Sequence, residues 1–198
     1  MQTIIDKSWL EKFDACREGI NWYEQNIDKS IAAKELIDLL LKTDDLKKIH
    51  WTNWLLSRLF SKKQKIQYAI YAAELVLHLF ENKYPNDKRP REAIEAAKKY
   101  LNDNDNIKSA AANAAAAANA VNAVNAAYAA YAAAESAAAA VNAVDAANAA
   151  YAAAESAAAA VNAVNATNTA YAAAVARKET LLKIINYGIE LLIKEEQK

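Results

Sequence analysis

The sequence is poor in the residues that interrupt regular structure. It has two glycines and two prolines in 198 residues, so few positions favour tight turns. No segment alternates apolar and polar residues with the β-branched enrichment of a strand. We therefore expect an all-α fold, a helical bundle without strands. Because Gly19 and Gly188 stand alone, a glycine-rich phosphate-binding loop is excluded.

Cysteine and catalytic motifs are scarce as well. A single cysteine, Cys16, cannot form an intrachain disulfide and fits a reducing compartment. The N-terminus lacks the apolar segment of a signal peptide, so we expect a cytoplasmic protein. The two histidines, His50 and His78, show no metal-ligand spacing, and no nucleophile–base motif is present. We predict a protein that is not an enzyme, with no catalytic residues, no metal and no cofactor.

The charges exclude two classes of partner. Lys and Arg together number 24, as do Asp and Glu, so the formal net charge is zero and nucleic acid is not generally attracted. The alanine-rich middle of the chain is long enough to cross a bilayer. Its repeated asparagines and its acids Glu135, Asp145 and Glu155 argue against such a crossing. We expect neither a nucleic-acid nor a membrane partner.

Alanine is what the sequence has in abundance, from Ser109 to Ala176. Tyr131–Val144 and Tyr151–Val164 both read YAAAESAAAAVNAV. Alanine has the highest helix propensity, and neither Gly nor Pro interrupts the segment. So apolar a helix requires a surface to pack on, and we expect short antiparallel helices that pack on the bundle or on a second copy. Candidate breaks are Val144–Ala146 and Asn165–Thr169, and a homo-oligomer stays open.

Composition divides the chain into an N-terminal helical unit (1–108), the alanine-rich helical repeat (109–176) and a C-terminal helix packing on the bundle (177–198). The N-terminal unit contains two capping boxes, Ser8–Glu11 and Ser61–Gln64. The sequence predicts six helices outside the repeat. The first runs from Ser8 to about Asn26, the second starts at Ser30, and the third is capped by Asp44 or Asp45. The fourth runs from Ser61 to before Pro85, the fifth starts near Pro90, and the last runs from Glu179 to about Glu196.

Aromatic residues supply two groups of candidate partner-binding residues. Trp51 and Trp54, at i and i+3 of one predicted helix, either pack in the core or form an exposed anchor for a partner. The tyrosines of the repeat, together with its asparagines, form a surface suited to recognition. Their alternative role is to pack over alanine grooves inside the bundle. These tyrosines are Tyr128, Tyr131, Tyr151 and Tyr171.

A third group of candidates is basic. Lys88, Arg89 and Arg91 flank Pro90 at the start of a predicted helix, where acidic residues are usually preferred. They either form ion pairs with acids elsewhere in the chain or bind an anion carried by a ligand or partner. The expected internal acids are Asp44, Asp45 and the Asp103–Asp105 segment.

Several segments together resemble a known family. They are Trp9–Trp22 (WLEKFDACREGINW), Tyr68–Phe80 (YAIYAAELVLHLF), Tyr84–Ala97 (YPNDKRPREAIEAA), the Tyr/Ala tract and Ile184–Gly188 (IINYG). In this order they resemble the alanine-rich immunity proteins of bacterial toxin–immunity loci and phage genomes. The resemblance implies an all-helical, non-catalytic protein that neutralises a target, and it assigns no functional residue. The Asn-rich repeat departs from the Tyr/Ala pattern of that family.

The function predicted from the resemblance is neutralisation of a protein target without catalysis. The target is a toxin, for an immunity protein, or a defence effector, for a phage-encoded inhibitor of a host defence system. The alternative is a helical protein that sequesters a small anionic ligand such as a nucleotide signal. A stoichiometric protein partner on purification would favour the first function, and a released nucleotide the second.

Overall fold

The computed structural model describes residues 3–102 and 170–196. The described residues form seven helices and one small antiparallel sheet, which confirms the helical class. The elements are β1 (Ile4–Asp6), α1 (Lys7–Lys12), α2 (Arg17–Asn26), β2 (Ser30–Ala32), α3 (Ala33–Leu41), α4 (Leu46–Leu59), α5 (Lys62–Lys83), α6 (Arg89–Asn102) and α7 (Ala170–Glu196). The helices and turns predicted for 109–169 lie outside the described residues.

The two strands correct the expectation of a fold without strands. β1 pairs with β2 so that Ile5 lies opposite Ile31. Ile5 is fully buried while Ile4 is 55% exposed, as the alternation of side chains in a strand requires. Each strand has only three residues, too few to produce the alternating pattern used to recognise strands. Ser30 therefore begins a strand, and the helix predicted from Ser30 starts at Ala33.

The single helix predicted from Ser8 to Asn26 is instead two helices. Asp6, not Ser8, caps α1, because its carboxylate accepts a hydrogen bond from the Trp9 amide at 2.7 Å. After α1 the chain passes through Asp14, whose φ of 57° is left-handed and cannot continue a right-handed helix. Cys16 then caps α2 by accepting a hydrogen bond from the Gly19 amide at 3.4 Å.

The starts of α4, α5 and α6 agree with the sequence. Asp45 caps α4 and accepts from the Lys47 amide at 2.9 Å. The Ser61–Gln64 capping box is confirmed, since the Ser61 amide donates to Gln64 Oε1 at 2.8 Å and the Gln64 amide donates to Ser61 Oγ at 3.4 Å. α5 ends at Lys83, before Pro85, and α6 starts at Arg89, so Pro90 occupies its first turn.

Helix α7 packs against α4 and α5 and supplies much of the core. Its residues Ile184 and Ile185 are fully buried. Gln64 Nε2 donates to the Leu191 carbonyl at 2.9 Å, which fixes the start of α5 to the last turns of α7. Because α7 begins at Ala170 rather than near Glu179, it includes the end of the alanine-rich segment. The division into three regions stays a prediction.

Candidate binding site

A cavity of about 300 Å³ lies among α1, α2, α3 and α4. Its lining is mostly apolar, with four aromatic side chains: Trp22, Tyr23, Trp51 and Trp54. The break between α1 and α2 contributes the adjoining residues Asp14, Ala15 and Cys16. The Cys16 side chain is exposed, so the cavity reaches solvent on this side. We take this cavity as the candidate binding site.

Trp51 and Trp54 lie on one face of α4 and are both half-buried. The ring centroid of Trp51 lies 6.0 Å from that of Trp22 on α2. The ring centroid of Trp54 lies 6.1 Å from that of Trp9 on α1, with the two rings edge-on. Both tryptophans thus pack against neighbouring helices and also line the cavity. The two rings are therefore partly packed and partly accessible, and a role in partner binding stays a prediction.

Basic side chains cover several of these rings. Lys48 Nζ lies 5.2 Å from the Trp22 ring centroid, and the Arg58 guanidinium lies 5.3 Å from that of Trp54. Lys12 Nζ lies 5.7 Å from the ring centroid of Phe13, which itself contacts Trp9. Cations over ring faces are attracted by the ring quadrupole. We call the half-buried rings of Trp9, Phe13, Trp22, Trp51 and Trp54 the aromatic patch.

Gly19 lines the cavity, and its lack of a side chain leaves space there. A Cβ at Gly19 would lie 3.3 Å from Cys16 Sγ and 3.7 Å from Trp51 Cε2, and both of these residues line the cavity. Sequence reasoning did not assign Asp14, Cys16 or Gly19 to a site. The available signal was a glycine in the middle of the helix predicted from Ser8 to about Asn26, in a chain with only two glycines.

Tyr23 joins the cavity wall to the small sheet. Its side chain is almost completely buried, and its hydroxyl donates to the Ile5 carbonyl at 2.7 Å. Burial raises the pKa of this hydroxyl, and the nearby Asp6 carboxylate adds to the effect. The hydroxyl therefore stays protonated and positions the Tyr23 ring. Across 3–102 and 170–196, no group of His, Cys, Asp and Glu side chains could hold a metal ion.

The bases Lys88, Arg89 and Arg91 lie at the start of α6, distant in sequence from the cavity. One of them, Arg91, forms an ion pair with a nearby acid. Arg91 Nε and Nη2 donate to the two Glu81 carboxylate oxygens, both at 2.7 Å. This bidentate bond is the main reason that the pKa of Glu81 is lowered. Lys88 Nζ donates to the Pro85 carbonyl at 2.9 Å. The partner of Arg91 is thus none of the acids expected from the sequence, and Asp44 instead pairs with Lys178.

The remaining candidate residues cannot be assigned contacts. Tyr128, Tyr131 and Tyr151 lie outside the described residues, and so do the side chains of Arg89 and Tyr171. Their roles in binding stay predictions. None of the helices within 3–102 and 170–196 is both long enough and apolar enough to cross a bilayer.

In its described part, the chain is a helical protein with a solvent-accessible aromatic cavity. It belongs to the Imm-5 like putative immunity protein family, whose model matches residues 56–184, about two thirds of the chain. This confirms the family resemblance found in the sequence. The match covers α5 and α6 and ends within α7, whereas the cavity-lining residues all precede Leu56. No curated protein and no solved structure matches the chain.

Proposed function

We propose that the chain neutralises a protein toxin by binding it stoichiometrically, without turnover, in the cytoplasm. The observation that carries this proposal is the match of residues 56–184 to a family of immunity proteins. A phage-encoded inhibitor of a host defence effector would use the same chemistry on a different protein target. Of these two targets, the family name favours the toxin.

We propose the aromatic patch as part of the surface that contacts the toxin. Half-buried Trp51 and Trp54 offer large apolar area on a helix already fixed by packing, so little side-chain entropy is lost on binding. Tryptophan and arginine are enriched among residues that dominate binding energies, and Arg58 lies over Trp54. Lys48 and Lys12 add positive charge beside the rings, which favours a toxin with acidic residues around an apolar centre.

A titration tests stoichiometric neutralisation. Toxins from loci that encode family members are expressed in a sensitive host with and without the chain, and survival identifies the cognate toxin. The purified toxin is then titrated with the purified chain. We expect toxin activity to fall linearly and end at about one chain per toxin, as tight binding requires. Complete inactivation by far fewer chains would show turnover and contradict the proposal, as would failure to protect against every toxin.

A charge reversal tests the contact surface. Lys48→Glu places an acid beside the Trp22 ring, and the matched control Lys183→Glu makes the same change on an exposed position of α7. Repulsion of an acidic rim predicts that Lys48→Glu weakens toxin binding by roughly tenfold, or ~1.4 kcal/mol. Lys183→Glu is expected to bind like the parent. Equal affinities for both variants would remove the aromatic patch from the proposed interface.

A second candidate function is the sequestration of a small ligand, which the cavity favours. Its volume of about 300 Å³ is at the lower end of the ~300–1,000 Å³ typical of ligand pockets. A nucleotide is a poor fit, because the described lining residues include Asp14 and, apart from His50, none that could carry a positive charge. At Arg91, a phosphate would compete with the Glu81 carboxylate that this side chain already binds. Release of a small molecule on denaturing the purified chain would support this candidate.

A further inference from the structure

We propose that the cavity among α1, α2, α3 and α4 binds a neutral aromatic ring, of the size of a phenyl or indole group. The ring is either a side chain of a bound protein or a free small molecule, since both present the same chemistry. The inference goes beyond the proposed function, because it concerns what fills the cavity and does not depend on the identity of the toxin.

The cavity walls match the packing preferences of a ring. The Trp22 and Trp51 rings are inclined at 47° with their centroids 6.0 Å apart, which leaves their surfaces facing different directions. A further ring can pack edge-to-face or offset against them at the usual centroid separations of ~4.5–7 Å. The aliphatic side chains Leu36 and Leu40 complete the lining from α3. The walls thus offer apolar contact on several sides of a flat group.

The charges around the cavity disfavour a charged ligand of either sign. An anion would enter a lining that contains the Asp14 carboxylate and, among the described residues, His50 but neither Lys nor Arg. An organic cation would be repelled by the charges of Lys48 and Arg58, which lie over the Trp22 and Trp54 rings. A neutral ring meets neither penalty. It also avoids the loss of hydration that a buried charge requires.

The glycine at position 19 leaves space beside the cavity wall. Gly19 lies in the first turn of α2, and no described glycine has a positive φ that would require glycine. The reason for Gly19 is therefore not its backbone conformation. A side chain there would point at Cys16 and Trp51, two residues of the cavity wall. A side chain larger than a methyl group at position 19 would therefore enter the cavity, and glycine leaves this space free.

Fluorine NMR of the full chain with 5-fluoroindole tests this inference. We expect a saturable change in the fluorine signal for the parent chain. Gly19→Leu fills the cavity and should weaken binding at least about tenfold, or ~1.4 kcal/mol. Gly19→Ala, the matched control for helix propensity, should bind within a fewfold of the parent. No saturable binding by the parent, or equal binding by Gly19→Leu, would overturn the inference.

A second readout avoids reliance on a folded Gly19→Leu variant. Cys16 is the only cysteine in the chain, is exposed and lines the cavity. Saturating 5-fluoroindole should therefore slow alkylation of Cys16 by N-ethylmaleimide, and unchanged kinetics would count against the inference. Benzyl alcohol should protect Cys16 better than benzoate or benzylamine at equal concentration. Equal or better protection by either charged probe would overturn the requirement for neutrality.

Competition with the cognate toxin distinguishes the two sources of the ring. If bound toxin displaces 5-fluoroindole, the ring belongs to a toxin side chain. If both bind together, the natural ligand is a free small molecule. Either result retains the neutral-ring site. Failure of 5-fluoroindole to bind would refute the site and leave the proposed neutralisation to be judged by the toxin titration alone.

Discussion

The two glycines of the chain lie in different surroundings, one beside the cavity and one in the buried core. At Gly19 a side chain would enter the cavity, near the exposed Cys16 side chain. At Gly188 a Cβ would lie 2.7 Å from Tyr68 Cε2 and 3.0 Å from Phe60 Cζ. Both of these rings are buried and lack room to move. Gly188 therefore permits the close approach of α7 to α4 and α5.

The first prediction compares alanine at the two glycine positions. Gly188→Ala forces buried rings apart and should lower the free energy of unfolding by ~1–3 kcal/mol, the usual cost of overpacking. Gly19→Ala contacts a thiol that can shift, so helix propensity should make it neutral or stabilising by up to ~1 kcal/mol. Urea denaturation followed by circular dichroism measures both changes. A Gly188→Ala variant as stable as Gly19→Ala would contradict the tight contact.

At the scale of elements, local capping signals predicted some helix starts and not others. The Ser61–Gln64 box formed because both of its hydrogen bonds are made where the sequence places them. The Ser8–Glu11 box did not form because α1 already begins at Lys7, with Asp6 as its cap, so Ser8 lies inside the helix. The strand that ends at Asp6 sets this start. That strand depends on pairing with residues about 25 positions later. Short-range patterns carry no information on such a pairing.

The candidate site, too, could be predicted only where its residues lie on one helix. Trp51 and Trp54 could be singled out from their i, i+3 spacing, since they lie on one helix. Trp22 joins them only because the chain breaks at Asp14 and starts α2 in a new position. Aspartate in the left-handed region has no strong sequence signal of the kind that glycine gives. The cavity could therefore not be predicted, although one of its walls could.

The second prediction concerns the joint between α5 and α6, where Arg91 binds Glu81. The hydrogen bond from Arg91 lowers the pKa of Glu81 below the ordinary value of a glutamate side chain. A lowered carboxyl pKa stabilises the fold above the unfolded-state pKa, and this stabilisation is lost as pH falls through the folded-state pKa. Glu81→Gln should therefore lower the Tm at pH 7, with a difference from the parent that shrinks below about pH 4.5.

Melting curves between pH 7 and pH 3 measure this dependence. The control is Glu190→Gln, which removes an exposed acid that pairs with Lys194 within α7 at 3.6 Å. Exposed pairs of this kind contribute little, so the control should show a much smaller change in Tm. The effect of Glu81→Gln should also weaken in high salt, because the pair is only partly buried. A Tm difference independent of pH would mean that Glu81 stabilises the joint by packing.

At the scale of the whole molecule, α7 connects parts of the chain that are far apart in sequence. It packs on both α4 and α5, and its Tyr187 ring stacks on Tyr71 of α5 with centroids 4.1 Å apart. Gln64 adds a buried hydrogen bond from the start of α5 to Leu191. The core of the described bundle is thus shared between the N-terminal helices and the last helix. Weakening α7 should consequently affect the entire bundle.

The last prediction tests this shared core with two isoleucines of α7. Ile184 is fully buried, whereas Ile193 on the same helix is 41% exposed. Ile184→Ala leaves a cavity between helices and should lower the free energy of unfolding by ~2–5 kcal/mol. Ile193→Ala makes the same chemical change on the surface and should alter stability by no more than ~0.5 kcal/mol. Both variants replace isoleucine by alanine within one helix, so the change in helix propensity is the same in both.

Two probes of unfolding separate a global from a local effect of Ile184→Ala. Circular dichroism reports on all helices, and tryptophan fluorescence reports only on α1, α2 and α4, since the tryptophans are Trp9, Trp22, Trp51 and Trp54. If α7 and the aromatic cavity belong to one cooperative unit, both probes should shift to lower urea by the same amount. A shift in circular dichroism alone would show that the cavity-bearing helices fold independently of α7, because their tryptophans would still unfold at the parent concentration of urea.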